Sequence, residues 1–505
     1  MLRKVLIANR GEIAVRILRA CRSLGLATVA VYSDADRQAL HVRLADEAVR
    51  LGPAPSARSY LDMDRVLEAA RATGADAVHP GYGFLSENAA FARAVEEAGL
   101  TFVGPSPAAM ERMGDKVRAR ANAEEAGVPV APGSPTLRDA EHAREEAKRI
   151  GYPILLKASA GGGGIGMRVV RSAREMSGEY ASVTKQAAAA FGVPDVFLER
   201  FLERPRHIEV QVLADQHGNC LHLYERECSV QRRHQKLVEE APSPALSAEA
   251  REAIGAKAVA LARHVGYTNA GTLEFLYEPA EARGPGRFHF NEMNTRLQVE
   301  HPVTEMVTGI DIVQWQLRIA GGEELSLRQE DVRLRGHAFE ARINAEDATR
   351  GFLPSPGPVQ RLRFPQGPGI RVDTGLYEGW WVPDAYDSLV AKLVVHADDR
   401  DAAVQRMLGA LGDLDIHGFT TNQGFHKALF AHPSFQAAEL TTRFLEDHGF
   451  LQAADATPHT TEQKRRAAAL VAALVDAPGG GLAGIRMRQR QPARLVRVPG
   501  RRDEA

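Results

Sequence analysis

Two glutamates with an arginine midway between them form a group that could do chemistry. Glu292 and Glu300 are eight residues apart, and Arg296 lies between them. Magnesium prefers carboxylate and amide oxygens, so Glu292 and Asn294 could hold a divalent cation. The planar fork of an arginine suits an oxyanion, and a second carboxylate beside it could take a proton from that anion. From the charges alone, an edge strand followed by a salt-bridged turn is an equally good interpretation.

A strand is predicted to position these residues, because alternate positions mark one of its faces: Phe288, Phe290, Glu292 and Asn294. A second strand is predicted over residues 272–276, in which Glu274 is the one acidic residue among apolar neighbours. A buried carboxylate without a partner is costly, and a metal ion shared with Glu292 would provide one. Residues 279–287, between the two strands, are rich in Gly and Pro and predict a hairpin insertion.

The first part of the chain has the pattern of a parallel α/β sheet. Short apolar strands are predicted at 5–8, 27–32, 75–79 and 101–103. Between the first two strands, apolar residues recur at helical spacing: Ile13, Ile17, Cys21 and Leu24. This βαβ unit predicts a Rossmann-like domain over residues 1–114. Residues 9–12 lack the dinucleotide fingerprint, which disfavours nicotinamide binding.

A glycine-rich loop lies between two predicted strands, at 152–158 and 167–170. The first strand carries Lys157, and the loop contains Gly162, Gly163 and Gly164. No lysine and hydroxyl residue complete a P-loop, and a strand rather than a helix follows. The arrangement predicts a mobile flap whose backbone N–H groups close over phosphates, although a flexible hairpin tip has the same pattern.

Composition sets further limits. The 505 residues suffice for about three domains, and 44% of them are apolar, enough for each domain to build a core. The net charge of -1 implies neither nucleic acid nor a membrane surface as a partner. Three cysteines without metal-site spacing indicate a reducing, cytoplasmic location. No apolar run is long enough for a spanning helix, and the N-terminus lacks a signal-peptide core.

Three dense segments carry a resemblance to a known family. Residues 292–305, Glu-Met-Asn-Thr-Arg-Leu-Gln-Val-Glu-His-Pro-Val-Thr-Glu, closely resemble the signature of biotin carboxylase, a member of the ATP-grasp superfamily. Residues 79–88 and 225–236 resemble two further segments of that family, and the likeness runs from about residue 1 to about 450. The resemblance implies α/β and α+β architecture: the Rossmann-like domain, an ATP-grasp domain at 115–330 with a mobile glycine-rich lid at about 132–203, a mixed C-terminal domain at 331–450, and an Ala/Arg-rich tail at 451–505.

The resemblance also implies a reaction and a set of residues for it. ATP, bicarbonate and biotin on a carrier protein would give ADP, phosphate and carboxybiotin through carboxyphosphate, the first half-reaction of an acyl-CoA carboxylase. The implied catalytic residues are Glu300 as the base, Arg296, Lys236 and Arg342. Magnesium or manganese would be held by Glu274, Glu292 and Asn294. Bicarbonate would lie against Lys236, Arg296, Gln298 and Val299, and biotin against Tyr82 and Arg342.

The nucleotide residues are implied in the same way. They are Lys116, Lys157, Gly162, Gly163, Gly164, Glu199, Arg200, Leu202, His207, Gln231 and His234. The chain departs from the family at two positions. Related enzymes commonly carry Arg or Lys at the position of Ile165, and often Lys at the position of Arg200. Taken without the resemblance, the charged run at 225–236 is more typical of a solvated face, and the ion pairs of Arg342 could be purely structural.

Partners follow partly from what the sequence lacks. No Ala-Met-Lys-Met biotin-acceptor sequence occurs, so the biotin carboxyl carrier protein and the carboxyltransferase are expected to be separate chains. The family commonly forms homodimers. An acetyl-CoA or other acyl-CoA carboxylase is the favoured system. The alternatives are the biotin carboxylase part of a pyruvate carboxylase, another ATP-grasp ligase and a catalytically silent nucleotide-binding scaffold. In the tail, residues 460–476 predict a helix, and the basic stretch 486–502 predicts loose chain.

Overall fold

The computed structural model describes residues 2–159, 166–279 and 286–451 of the chain. Its first part contains β1 (Lys4–Ile7), α1 (Gly11–Ser23), β2 (Ala27–Ser33), α2 (Leu40–Leu44), β3 (Glu47–Gly52), α3 (Met63–Thr73), β4 (Ala77–His79), α4 (Ala89–Glu97), β5 (Thr101–Phe102) and α5 (Pro107–Gly114). The strands form a parallel sheet in the order β3-β2-β1-β4-β5. The Rossmann-like prediction is confirmed.

Helices cover both faces of this sheet because β1 is apolar on both sides. Val5 and Ile7 pack with the α1 residue Ile17 on one face. Leu6 packs with Phe91 of α4 on the other face. All five of these residues are fully buried. Doubly covered parallel sheets place their loops at the carboxyl ends of the strands, and the loop at residues 80–88, which follows β4, is one of these.

The central part begins with a helix that has the predicted cap. The Asp115 side chain accepts a hydrogen bond from the Arg118 N–H at the start of α6 (Lys116–Glu125). A small antiparallel sheet, β7-β6-β8, follows with two helices on it. Its elements are α7 (Ala140–Ile150), β6 (Ile154–Ala158), β7 (Met167–Val170), α8 (Met176–Phe191) and β8 (Val196–Arg200). These lie in the predicted lid, whose glycines at 162–164 fall outside the described residues.

A large antiparallel sheet contains the remaining central strands. They are β9 (Arg206–Ala214), β10 (Cys220–Arg232), β11 (Gln235–Ala241), β12 (Asn269–Glu278) and β13 (Arg287–Asn294), with α9 (Ala248–His264), α10 (His301–Thr308) and α11 (Ile312–Ala320). Among the described residues, no helix has the length and apolar character needed to cross a membrane. The predicted insertion falls mostly outside the described residues, between β12 and β13.

The C-terminal part extends the same sheet. Its longer strands are β14 (His337–Asn344), β19 (Ile370–Thr374) and β21 (Leu389–Ala397), and the eight-stranded order is β13-β12-β9-β10-β11-β14-β21-β19. The other elements are β15 (Glu346–Asp347), β16 (Leu353–Pro354), β17 (Gly357–Pro358), β18 (Arg361–Arg363), β20 (Trp381–Val382), α12 (Arg400–Asp413), β22 (Asp415–His417), α13 (Gln423–Phe430), α14 (Pro433–Gln436) and α15 (Phe444–Asp447). The sheet therefore crosses the predicted boundary at residue 331, and the domain boundaries remain a prediction.

The predicted alternation along β13 is wrong at one point. Glu274 pairs with Glu292, but the next residue, Phe275, pairs with Phe290, so Asn291 is the extra residue of a β-bulge. The bulge reverses the alternation. Phe288 and Phe290 therefore pack in the same apolar cluster as Met293, whereas Glu292 and Asn294 face the clefts described below. An extra residue of this kind leaves no mark in the hydrophobic pattern.

Candidate active site

Two clefts open on the large sheet and share residues. The first has a volume of about 470 Å³ and contains the predicted nucleotide side chains Lys116, Lys157, Glu199, Arg200, Leu202, His207, Gln231 and His234. The second has a volume of about 810 Å³ and contains Tyr82, Lys236, Glu274, Asn294, Arg296, Gln298, Val299, Glu300 and Arg342. Glu292 and His234 line both. The structure thus brings every predicted site residue that it describes to one of two adjoining spaces.

Strand register places three carboxylates in a row. Glu292 pairs with Glu274 across β13 and β12, Glu274 pairs with Glu209 across β12 and β9, and Glu209 pairs with Arg226 across β9 and β10. Adjacent strands lie about 4.8 Å apart, so neighbouring carboxylates repel by roughly 3.5 kcal/mol at an effective dielectric constant of about 20. Arg226, fully buried, donates to Glu209 and caps one end of this row.

One ammonium group gathers the carboxylates in the middle of the site. Lys236 Nζ lies 2.8 Å from Glu274 Oε1 and 2.7 Å from Glu300 Oε1, and it also donates to Glu209. Burial alone would lower the pKa of Lys236, but these three carboxylates outweigh it and hold the pKa well above its usual range. Glu300 shares this cation with Glu274, because the chain after β13 turns back over the sheet.

Glu300 is fully buried at the start of α10 and contacts a second cation. Arg342 Nη2 donates to Glu300 Oε2 at 2.9 Å, and Arg342 Nε donates to Glu239 Oε1 at 2.6 Å. Burial would raise the pKa of Glu300, but Lys236 and Arg342 hold it well below its usual range. Glu239 differs, because burial and repulsion from Glu300 together raise its pKa to about 7 in spite of Arg342. Glu300 is thus the carboxylate kept ionised between two cations.

Side-chain contacts fix the loop at residues 295–300. Arg296 Nε donates to Glu87 Oε2 at 2.9 Å, Nη1 to Gln298 Oε1 at 2.9 Å, and Nη2 to Asn294 Oδ1 at 3.0 Å. Asn294 Nδ2 in turn donates to Glu274 Oε1 at 2.9 Å. Arg296 therefore faces the second cleft in a defined orientation, and an anion bound by its fork would replace some of these protein acceptors.

Ionic contacts also organise the first cleft. Lys157 donates to Glu199, and Arg120 Nη1 lies 3.2 Å from the other oxygen of that carboxylate. At the floor, Lys116 Nζ is 3.8 Å from Glu292 Oε2. His207 Nε2 is 3.2 Å from Glu274 Oε2. Lys116, Lys157 and His207 line the space next to the carboxylate row, which suits a phosphate chain.

The geometry fits a divalent cation at the Glu292 end of the row. Lys236 and Arg226 neutralise Glu209 and Glu274 through ion pairs of 2.5 to 2.8 Å. The ion pair of Glu292 with Lys116 is longer, at 3.8 Å. Burial and the neighbouring Glu274 raise the pKa of Glu292. A bound hard cation would relieve that repulsion, and its preferred ligands are carboxylate oxygens of this kind. Glu274 and Glu292 would be its first ligands, with Asn294 beside them.

Several site residues were not singled out from the sequence. Glu209 could have been found, because the polar residues His207, Glu209 and Gln211 alternate with apolar ones along β9. The charged run at 225–236 is not a solvated face. Arg226 and Glu227 are buried in β10, and the turn at Arg233 and His234, both with positive φ, returns the chain to Lys236.

The C-terminal segment also supplies side chains that sequence reasoning missed. Thr442, Arg443 and Glu446 line the first cleft beside Leu202, and the Thr442 N–H donates to the Pro205 carbonyl at 2.9 Å. These residues have no pattern that distinguishes them from an ordinary helix start. Their role follows only from the fold, which returns the chain to the central sheet.

Family models match nearly the whole described chain. The N-terminal domain model of biotin carboxylase matches residues 1–110, and its C-terminal domain model matches residues 340–447. Between them, residues 115–328 match the ATP-binding domain of the carbamoyl-phosphate synthase L chain. The biotin carboxylase of Haemophilus influenzae is 54% identical over 448 residues, covering 88% of this chain and 98% of that protein. The chain belongs to the biotin carboxylase family.

Other relatives are named as parts of pyruvate carboxylase and 2-oxoglutarate carboxylase. The relative from Methanothermobacter thermautotrophicus is one of the subunits of a pyruvate carboxylase. It is 51% identical, covering 89% of this chain and 90% of that protein. The biotin carboxylase domain dimer of Hydrogenobacter thermophilus 2-oxoglutarate carboxylase was solved with MgADP, ADP and bicarbonate. It superposes with a TM-score of 0.86 at 48% identity, covering 91% of this chain and 100% of that one. The predicted family, fold class and ATP-dependent ligase activity are therefore confirmed.

Proposed function

We propose that this protein binds ATP in the first cleft and joins bicarbonate to biotin in the second. The observation that carries the proposal is that the two clefts share Glu292 and His234. Glu274, the register neighbour of Glu292, pairs with Lys236, which also pairs with Glu300. Nucleotide and acceptor residues therefore meet at this junction. Lys116, Lys157 and His207 would hold the phosphate chain, and Glu199, Arg200 and Leu202 the base end of the nucleotide.

Glu300 is the proposed base. It is ionised, fully buried, and held by Lys236 and Arg342. Bicarbonate seated against Arg296, Gln298 and the Val299 backbone would give its proton to this carboxylate. The freed oxygen would form a bond to the γ-phosphorus while the bond to ADP breaks, giving carboxyphosphate. A magnesium or manganese ion held by Glu274 and Glu292 would offset charge on the phosphates when bound.

The second half of the reaction would take place beside Arg342. Carboxyphosphate would break its C–O bond to give carbon dioxide and phosphate, and the phosphate would take the N1′ proton of biotin. The nitrogen would then bond to the carbon of carbon dioxide. Arg342, which Glu300 and Glu239 hold through its Nη2 and Nε atoms, would stabilise the oxygen charge that develops on biotin. Tyr82 lines the same cleft and would contact biotin.

The finer assignments concern the carboxylase system, the partner chains and the location. We propose an acetyl-CoA or other acyl-CoA carboxylase as the system. Relatives that this chain spans almost end to end are named biotin carboxylase as proteins in their own right, which supports a separate carrier protein and carboxyltransferase. A homodimer is proposed because a related domain was solved as a dimer. A cytoplasmic location is proposed from the free thiols of Cys21, Cys220 and Cys228.

One assay tests the central proposal. The purified chain should release ADP from MgATP only slowly without bicarbonate, faster with it, and faster still with free biotin, with carboxybiotin as the product. Arg342→Ala should lose carboxybiotin formation while slow bicarbonate-dependent ATP cleavage continues. ATP cleavage that ignores bicarbonate, or that needs an amine or amino acid instead, would overturn the assignment of the second cleft.

A further inference from the structure

Lys392 is a buried cation that the proposed reaction leaves without a role. It lies on β21 with no exposed surface and does not line either cleft. Its Nζ donates to the Val299 carbonyl oxygen at 2.9 Å. Val299 belongs to the loop at residues 295–300, which is the proposed seat of bicarbonate. Burying an ammonium group costs several kcal/mol, so a lysine that served only to fill space would be a poor solution.

The same ammonium group reaches the proposed biotin side. Lys392 Nζ lies 3.2 Å from Glu12 Oε1, in the first turn of α1. The Tyr82 hydroxyl donates to that same oxygen, and the Tyr82 ring centre is 6.0 Å from Nζ. One carboxylate oxygen therefore receives both the lysine and the tyrosine. A continuous polar chain runs from the Val299 carbonyl through Lys392 and Glu12 to Tyr82.

The other charged groups near Lys392 are farther from its ammonium group or are held by other partners. Asp373, its neighbour in register on β19, has Oδ2 at 4.0 Å and is held by Arg371. Arg342 lies opposite on β14. Glu340, also on β14, is fully buried with both oxygens lacking a hydrogen-bond partner among the described residues. The short contacts of Nζ are therefore those to Val299 and Glu12.

We propose that Lys392 is a positioning residue that ties the bicarbonate loop to Tyr82, so that the two acceptor subsites are aligned by one buried cation. This inference rests on the proposed function of the second cleft. The two loops are also joined at the surface, where Glu87 accepts from the Thr295 N–H and from Arg296. Lys392 supplies the buried half of that connection. Loss of the buried half should disturb bicarbonate and biotin together and spare the nucleotide.

The first test replaces the cation by a side chain of similar length. Lys392→Met should raise the KM for bicarbonate by about tenfold or more and the KM for free biotin similarly, equivalent to about 1.4 kcal/mol each. The KM for ATP should change by less than about twofold. Lys392→Arg, which keeps the charge, should lie closer to wild type than the methionine variant. Leu393→Ala is the matched control, because Leu393 is buried on the opposite face of β21 in the C-terminal core. It should lose stability without a selective change in bicarbonate KM.

A second variant keeps the proposal testable if Lys392→Met does not fold. Tyr82→Phe removes only the hydroxyl that donates to Glu12. It should raise the bicarbonate KM by about two- to fivefold even in ATP cleavage measured without biotin. In the double variant Tyr82→Phe/Lys392→Met, the rise in the KM for bicarbonate should be close to that of Lys392→Met alone, since both residues act through Glu12.

The outcomes separate this inference from the proposed function. An unchanged bicarbonate KM in Tyr82→Phe, an ATP KM that rises as much as the bicarbonate KM, or multiplicative effects in the double variant would each overturn the role of Lys392. Wild-type protein that cleaves ATP without dependence on bicarbonate would instead overturn the proposed function itself.

Discussion

Replacing Glu300 by glutamine is the sharpest test of the base. The change keeps the size of the side chain and removes its charge, and an amide cannot take a proton at neutral pH. Bicarbonate-dependent ADP release should fall by at least about a hundredfold, which is about 2.7 kcal/mol in the barrier. Binding of MgATP should stay within about threefold of wild type, because Glu300 does not line the first cleft.

The structural cost of this change can be worked from its contacts. Glu300→Gln weakens the 2.7 Å contact with Lys236 and the 2.9 Å contact with Arg342. Lys236 keeps Glu209 and Glu274, and Arg342 keeps Glu239. Breaking a buried ion pair typically costs about 3–5 kcal/mol. Because neither cation is left without a carboxylate here, the free energy of unfolding should fall by only about 2 kcal/mol. The variant should therefore fold at ordinary temperature.

Glu239→Gln is the matched control. Glu239 is also fully buried, also pairs with Arg342, and undergoes the same replacement of a carboxyl group by an amide. It makes no hydrogen bond or ion pair with Lys236 and does not line the second cleft. Bicarbonate-dependent ADP release should therefore stay within about tenfold of wild type. Equal losses in the two variants, or a Glu300→Gln protein that loses mainly its affinity for MgATP, would refute the assignment of Glu300 as the base.

Three more outcomes are expected. Glu292→Gln removes a charged ligand from the proposed metal pair, and ATP turnover at ordinary magnesium should fall by about a hundredfold or more, with partial recovery at high magnesium; wild-type turnover would contradict the metal assignment. The pKa of Glu239, about 7, lies above its ordinary value of 4.5, so the folded state holds the proton more tightly and the wild type should lose stability as pH rises through 7. Glu239→Gln should lack this loss. In urea unfolding, the free energy of unfolding of the variant minus that of the wild type should therefore rise between about pH 5.5 and pH 8 by on the order of 2 kcal/mol. Removal of residues 455–505 should leave turnover with free biotin nearly unchanged, since all site residues precede them; a folded but inactive truncated protein would refute this.

Much of the site followed from the sequence because its residues are local. Glu292, Arg296 and Glu300 lie within nine consecutive positions, and a motif of that density is recognisable without a structure. Contacts between distant strands were less accessible. The lysine at the centre was expected near bicarbonate, but its three carboxylates come from β9, β12 and the loop after β13. The pairing register between such strands cannot be read from the sequence of either strand alone.

The bulge at Asn291 is a second feature that the sequence pattern did not predict. Simple alternation placed Phe290 and Glu292 on one face, whereas one extra residue puts them on opposite faces. Lys392 is a third. Its sequence context, apolar on both sides, is typical of a strand that supports a core. Only the fold reveals that its ammonium group lies beneath two loops.

The ladder between β11 and β14 determines where this enzyme can be divided. Four residue pairs join the two strands, from Val238 with Ala341 to Ala241 with Ala338. A fragment that ends near residue 330 would lose Thr442, Arg443 and Glu446 from the first cleft. It would leave β11 as an open edge, a template for aggregation. It would also lack Arg342. Chimeras that exchange acceptor specificity between relatives should therefore keep β11 and β14 in one block, with the exchange points placed in loops outside the ladders of the large sheet.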